Sequence, residues 1–164
     1  MYTECQKYLS GKLKAAGIHS QIITSMKKLQ LYQDAHVGAV LFETETFTRS
    51  NLKKTYTDEK GDDRKRHKIL LRETTFSVII GDAVPENTER IFEAFLVAIE
   101  TGLYINGNYT LIEVLDAEWV DDDDSILKSK VAVNVKVKFT GGVYKDILLA
   151  KLSGIEVVEI GKET

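Results

Sequence analysis

The chain holds one cysteine, one proline and one tryptophan among its 164 residues, and each scarcity removes a class of architecture. A lone thiol, Cys5, closes no internal disulfide, and no charged-then-apolar export signal opens the sequence, so folding is expected in the cytoplasm. With one proline and no serine-rich or glycine-rich stretch between periodic segments, the chain offers no place to divide it, and a single domain over residues 1–164 is expected. No apolar run approaches the roughly eighteen residues that a membrane-spanning helix needs, so no membrane partner is expected. An excess of one charge is lacking as well. The formal net charge of −3 gives no overall pull toward nucleic acid, so any basic surface must be local.

Residue groups that carry chemistry are equally sparse. His19, His36 and His67 fall in a predicted turn, a strand start and a hairpin arm, without the paired spacing that sets two imidazoles on one metal. Cys5 falls on the apolar stripe of an amphipathic segment, where a thiol serves as a small hydrophobe. The acidic run Glu118, Asp121, Asp122, Asp123 and Asp124 lacks the alternating spacing and closing glutamate of a calcium loop. It reads as a solvated turn between strands, or as a surface that meets a basic patch on a neighbouring subunit. Gly141-Gly142 has no downstream Lys-Ser or Lys-Thr pair, and no Gly-x-Ser-x-Gly elbow occurs. Neither a cofactor, a metal site nor a catalytic group is expected.

What the chain does have is periodicity. From Val131 to Phe139 every odd position is apolar and most even ones are not, the signature of a strand with one dry face and one wet face. Its ends are marked by the acidic loop before it and by Gly141-Gly142 after it. Near the N-terminus, Thr3-Glu4-Cys5-Gln6 fits a capping box. A helix is expected to follow with the stripe Cys5, Tyr8, Leu9, Leu13 and Ala16 and a stop at Gly17. A shorter helix is expected from Ser20 to Leu29.

Val37 to Thr48 is rich in β-branched and aromatic residues and reads as a strand with Val40, Phe42, Thr44 and Thr46 on one face. Lys68 to Ile80 reads as a second, its apolar end covered on both faces. Pro85 begins a helix whose stripe Ile91, Phe92, Phe95, Leu96, Ala98 and Ile99 runs to a stop at Gly102. Asn106-Gly107 predicts a two-residue hairpin turn joining Leu103–Ile105 to Tyr109–Leu115. Residues 145–164 alternate weakly through Ile155, Val157 and Val158 and form a C-terminal extension, read either as a last strand or as a helical turn with an extended end. The fold class is therefore α+β: a mostly antiparallel sheet with a long β-hairpin, packed against an N-terminal helix and one central amphipathic helix.

The segment 53–68 is the candidate functional feature. Lys53, Lys54, Lys60, Arg64, Lys65, Arg66 and Lys68 stand against Asp58, Glu59, Asp62 and Asp63, leaving a local charge of +3 around Gly61 at the tip of a polar hairpin. Phosphate contact through Arg64-Lys65-Arg66 and docking to a protein subunit are the two functional readings, and a solvated loop is the third. With Tyr56 alone for stacking, the nucleic-acid reading is the weaker of the first two.

Element order and local features resemble the tail-terminator, or tail-completion, proteins of long-tailed bacteriophages and their prophage relatives. The resemblance spans residues 3 to 144, most plainly the helix from Pro85, the turn Asn106-Gly107-Asn108, and Trp119-Val120-Asp121-Asp122-Asp123-Asp124 leading into the terminal strand. It implies a non-enzymatic virion part, made in the host bacterial cytoplasm, whose copies close into a hexameric ring that caps the tail tube and joins it to the head connector. On that reading Lys53, Lys54, Arg64, Lys65 and Arg66 reach a neighbouring subunit or tube ring, and Asp121, Asp122, Asp123 and Asp124 offer a complementary surface. Charge reversal at Arg64, Lys65 and Arg66 is then expected to impair assembly without lowering the melting temperature. The alternatives are another neck, connector or tail-tube subunit, a nucleic-acid-binding accessory protein, and, last, an enzyme whose site is assembled from distant residues.

Overall fold

The alternating segment at 131–139 lies at the centre of an antiparallel sheet. The computed structural model describes residues 1–121 and 131–149. Its elements run α1 (Tyr2–Ala16), α2 (Met26–Gln30), β1 (Val37–Arg49), β2 (Lys53–Thr57), β3 (Asp63–Asp82), α3 (Pro85–Ala98), β4 (Gly102–Ile105), β5 (Asn108–Asp121) and β6 (Val131–Leu148). The strands stand in the order β1-β3-β6-β5-β4, every neighbouring pair antiparallel, with β2 following β1 along the same side of β3. This is the expected α+β class.

One face of the sheet is dry because two helices cover it. Phe76, Val78 and Ile80 of β3 and Val133, Val135, Val137 and Phe139 of β6 meet Cys5, Leu9 and Leu13 of α1 and Ile91 and Phe95 of α3, all buried. The rings of Phe76 and Phe139 meet edge-on at 5.8 Å. Full burial of one such side chain is worth about 1.5–3 kcal/mol, so this cluster sets the register of the two longest strands. The even positions of β6 point the other way, where Lys138 pairs with Glu113 at 2.9 Å and Glu73 at 3.7 Å, and Lys136 with Glu43 at 3.7 Å and Asp116 at 3.9 Å. A second, smaller cluster of Ile23, Leu29, Val37, Ala39 and Leu41 lies at the start of β1.

Several boundaries differ from the sequence reading, each for a local reason. The capping box at Thr3–Gln6 does not form. Met1 caps α1, the N-terminal amine pairs with Glu4 Oε2 at 2.7 Å, and Gln6 turns its amide to the Val40 carbonyl at 3.5 Å. Gly17 does end α1 in the left-handed conformation, φ 119°. Residues 20–25 are not helical: Ile23 donates to the Gly38 carbonyl and accepts from the Val40 amide, forming a parallel bridge to Ala39 that competes with helix formation. A bulge at Glu43, between Phe42 and Thr44, turns Thr44 and Thr46 away from the face of Val40 and Phe42.

Helix α3 stops at Ala98, with Ile99 already extended. Gly102 opens β4 instead, where a Cβ would stand 2.3 Å from the Tyr109 ring and 2.6 Å from the Thr110 carbonyl. Asn106 and Gly107 make the expected tight turn with φ of 49° and 74°. Finally, β6 runs straight through Gly141-Gly142 to Leu148. A Cβ on Gly141 would lie 3.0 Å from the Met1 sulfur, and one on Gly142 would lie 2.8 Å from Lys68 Cε, so close packing accounts for both glycines.

Candidate subunit interface

The charged segment is the outer end of a long two-armed ribbon. One arm is β1 followed by β2, interrupted at residues 50–52; the other is β3, paired with β1 over Leu70–Gly81 and with β2 over Asp63–His67. The turn at Asp58–Asp62 is closed by Asp58, which accepts from the amides of Lys60 and Asp62 at 2.9 and 3.0 Å, and by Gly61 at φ 79°. The end of β6 pairs along the other side of the same stretch, from Arg64↔Leu148 to His67↔Lys145. Residues 145–148 of the expected C-terminal extension are thus the third strand of the charged ribbon. Residues 150–164 lie outside the described residues.

No side chain of β2 is buried, so charge and aromatic contact hold this end together. Arg66 forms a two-pronged ion pair with Asp146, both contacts at 2.7 Å, donates to Asn108 Oδ1 at 3.1 Å, and stands 5.0 Å over the Tyr56 ring. Tyr56 also donates to Asp146 at 3.0 Å. The Arg66 hydrogen bonds hold the Asp146 carboxyl below its ordinary range, and Arg66 is itself held more firmly protonated by the same contact. Arg64 does the same for Asp58. Of the five basic candidates, Arg64 and Arg66 are therefore engaged within the ribbon. Lys53, Lys54 and Lys65 form no ion pair among the described residues, and Lys53 and Lys54 are exposed. Reversing the charge at Arg64 and Arg66 is consequently expected to lower stability, which corrects the sequence reading.

Beside the hairpin base lies a groove of about 340 Å³ whose lining includes Lys53, Lys54, Lys68, Tyr104, Tyr109 and Tyr144. Lys68 stands 5.6 Å over the Tyr144 ring, and Tyr104 meets Tyr109 edge-on at 5.4 Å. Sequence reasoning counted Tyr56 alone near the basic arm; the other three arrive from β4, β5 and β6, and only strand pairing reveals them. Of the acidic candidates, Asp121 ends β5 and pairs with Val131. Asp122, Asp123 and Asp124 lie outside the described residues.

The histidines are less scattered than their spacing implied. His19 and His36 stack with ring centroids 6.0 Å apart, His36 Nε2 accepts the His19 amide at 3.2 Å, and its Nδ1 lies 2.8 Å from Asp82 Oδ2. Burial pushes the Asp82 carboxyl up, but hydrogen bonds from His36, the Val84 amide and Asn87 outweigh it and leave the net shift downward. The pair ties the segment before β1 to the end of β3. Among the described residues no group of three or more His, Cys, Asp or Glu is arranged to hold a metal. Cys5 is buried in the core, where desolvation raises its thiol to about 12.

Two stretches of sheet edge carry no partner strand among the described residues. On one side, residues 42–49 of β1 are free beyond the Ile23 bridge. On the other, β4 covers only Asn108–Leu111 of β5, leaving 113–121 open. Each exposes large apolar side chains among polar ones: Phe42 and Phe47 on the first, Val114, Leu115 and Trp119 on the second.

No family model matches the sequence, and no curated protein does. Among solved structures, the chain is similar to the sheath/tube terminator of PVC, an extracellular contractile injection system, in its extended state, at a TM-score of 0.50 and 14% identity over 100% of this chain. The chain shares the fold of that sheath/tube terminator. The resemblance read in the sequence is thus borne out in the architecture. This chain spans 64% of that terminator's length. A chain of the virion of a native gene transfer agent particle aligns over 85% of this chain and 94% of its own, at 14% identity and a TM-score of 0.42.

Proposed function

We propose that the protein is a tail terminator, a non-enzymatic structural subunit of a phage-tail-like particle. Its copies close into a ring, a hexamer on the family pattern, which caps the tail tube and presents the surface for the head connector. The observation that carries this reading is the fold shared with a sheath/tube terminator over the whole chain. A fold alone hosts many functions, so the surface must agree with it. Supporting the reading, Lys53, Lys54 and Lys65, which form no ion pair among the described residues, stand on a ribbon stiffened by its own ion pairs, a form suited to reaching a neighbouring subunit or tube ring. The acidic residues Asp121 to Asp124 supply charge of the opposite sign. Two unlike edges without a partner strand among the described residues favour head-to-tail contacts, which close into a ring when the rotation between copies closes. The particle would be assembled in the host cytoplasm.

Native mass by light scattering over a concentration series, with negative-stain imaging of large species, tests the proposal. Discrete rings of one size are expected. Open tubes would identify a tube subunit instead, and steeply salt-dependent binding to DNA would favour the accessory-protein alternative.

A further inference from the structure

Resting on the ring reading, we infer that the free stretch of β1 in one copy pairs antiparallel with the free stretch of β5 in the next, with Glu45 opposite Ala117 as the register. The sheet alternates direction through β1, β3, β6 and β5. A second copy in the same orientation therefore presents β5 antiparallel to β1, with its helices on the same side. The exposed run on β1, Phe42 to Thr44 and Thr46 to Arg49, and that on β5, Val114 to Trp119, are parts of long strands left uncovered among the described residues. Exposed edges of this length otherwise invite uncontrolled pairing.

Two features of the protomer act as stops. The Ile23 bridge occupies the Gly38 carbonyl and Val40 amide, closing the start of β1. Strand β4 and the bond from the Ile112 amide to the Thr101 carbonyl close the start of β5. Because these stops stand at opposite ends of the sheet, the open stretches are offset, and neighbouring copies must step along the strand direction to join.

Side-chain faces restrict the register further, since a slip of one residue would turn an apolar face to the wrong side. Glu45 lies on the helix-bearing face beside Thr74, and Ala117 lies on it beside Val135, itself paired with Val78. Their pairing sets Phe47 beside the bulge that Leu115 makes after Val114 in β5, and brings Phe42, across the Glu43 bulge, to Trp119, so that large apolar residues of the two edges meet. Thr74 and Val78 stand four residues apart on β3. Each copy then advances four residues for the four strands it contributes. One residue per strand is the ratio at which an eight-stranded barrel closes with strands tilted by about 36°, so the step is one that a closed, tilted sheet accepts.

Thr46 and Asp116 face each other in this register on the helix-free side. The double variant Thr46→Cys/Asp116→Cys, oxidised mildly in the assembled state, is expected to give a covalent ladder up to the full ring on a denaturing gel, while each single variant gives none. Cys5 is buried and stays silent. Thr44→Cys/Glu118→Cys repeats the test in the same register should the first pair misfold, with the melting temperature checking each. Rings that form without a ladder in either pair, or a dimer from Thr46→Cys alone, overturn the inference and leave the terminator reading standing. Wild-type protein that forms no ring at any concentration overturns both.

Discussion

The sheet body and the charged ribbon are built from the same strands but held by opposite means. Along β3, residues 74, 76, 78 and 80 are buried beneath the helices, and apolar packing fixes their register. Ten residues further toward the tip, Arg64 and Arg66 on the same strand touch no core, and their register is kept by Asp58, Asp146 and Tyr56. A strand can thus leave the core and keep its pairing if ionic and aromatic contacts replace burial, at a cost in stability that the body absorbs.

The comparison breaks most visibly at the body. Phe76→Ala removes a ring packed against Phe139, Tyr2 and Phe42 and is expected to cost about 3–5 kcal/mol, read from denaturant unfolding. A cost below 1 kcal/mol would mean that the helices do not organise the sheet. On the ribbon, Arg66→Ala should cost no more than about 1 kcal/mol, because its ion pair is partly solvated. Amide exchange should nevertheless accelerate in Lys53–Thr57 and 145–148 and not in residues 131–139. Uniform acceleration would show that the ribbon and body unfold as one.

Acid sharpens the same contrast. The Asp146 and Asp58 carboxyls are held low by Arg66 and Arg64, so their contribution is complete above the ordinary carboxylate pKa of about 4 and is lost as pH falls through the lowered values. Ribbon amides should lose protection below that range before the core amides do; NMR-detected exchange would show it, and a core that opens first would contradict the account. The smallest effect on stability belongs to Lys53→Glu/Lys54→Glu/Lys65→Glu. None of these lysines has an ion pair to lose among the described residues, so the melting temperature should hold within about 2 °C, a shift set by ΔΔG below roughly 0.5 kcal/mol. Ring yield should fall; unchanged assembly would remove the lysines from the interface.

Periodicity made the body legible. The odd positions of 131–139, the stripe of α1 and the Asn106-Gly107 turn each follow from a local repeat or from turn chemistry. What was hidden depends on single contacts between distant residues. The Ile23 bridge replaces a predicted helical turn with one parallel pairing, the bulge at Glu43 reverses the faces of Thr44 and Thr46, and no local signal announces either. Gly141-Gly142 read as a strand end because glycine usually interrupts; here it admits Met1 and Lys68. The candidate interface was legible as a charge cluster but not in its division of labour. Asp146, eighty residues from Arg66 in the chain, decides which of the positive charges are already taken.

The most direct test of which surfaces assemble is hydrogen–deuterium exchange compared between the monomer and the assembled ring. The account predicts new protection in residues 42–49 of β1, 113–121 of β5 and the ribbon around 53–67, with the helix-covered strands unchanged. Protection that falls instead on the outward sides of α1 and α3, with both sheet edges still exchanging freely, would contradict it.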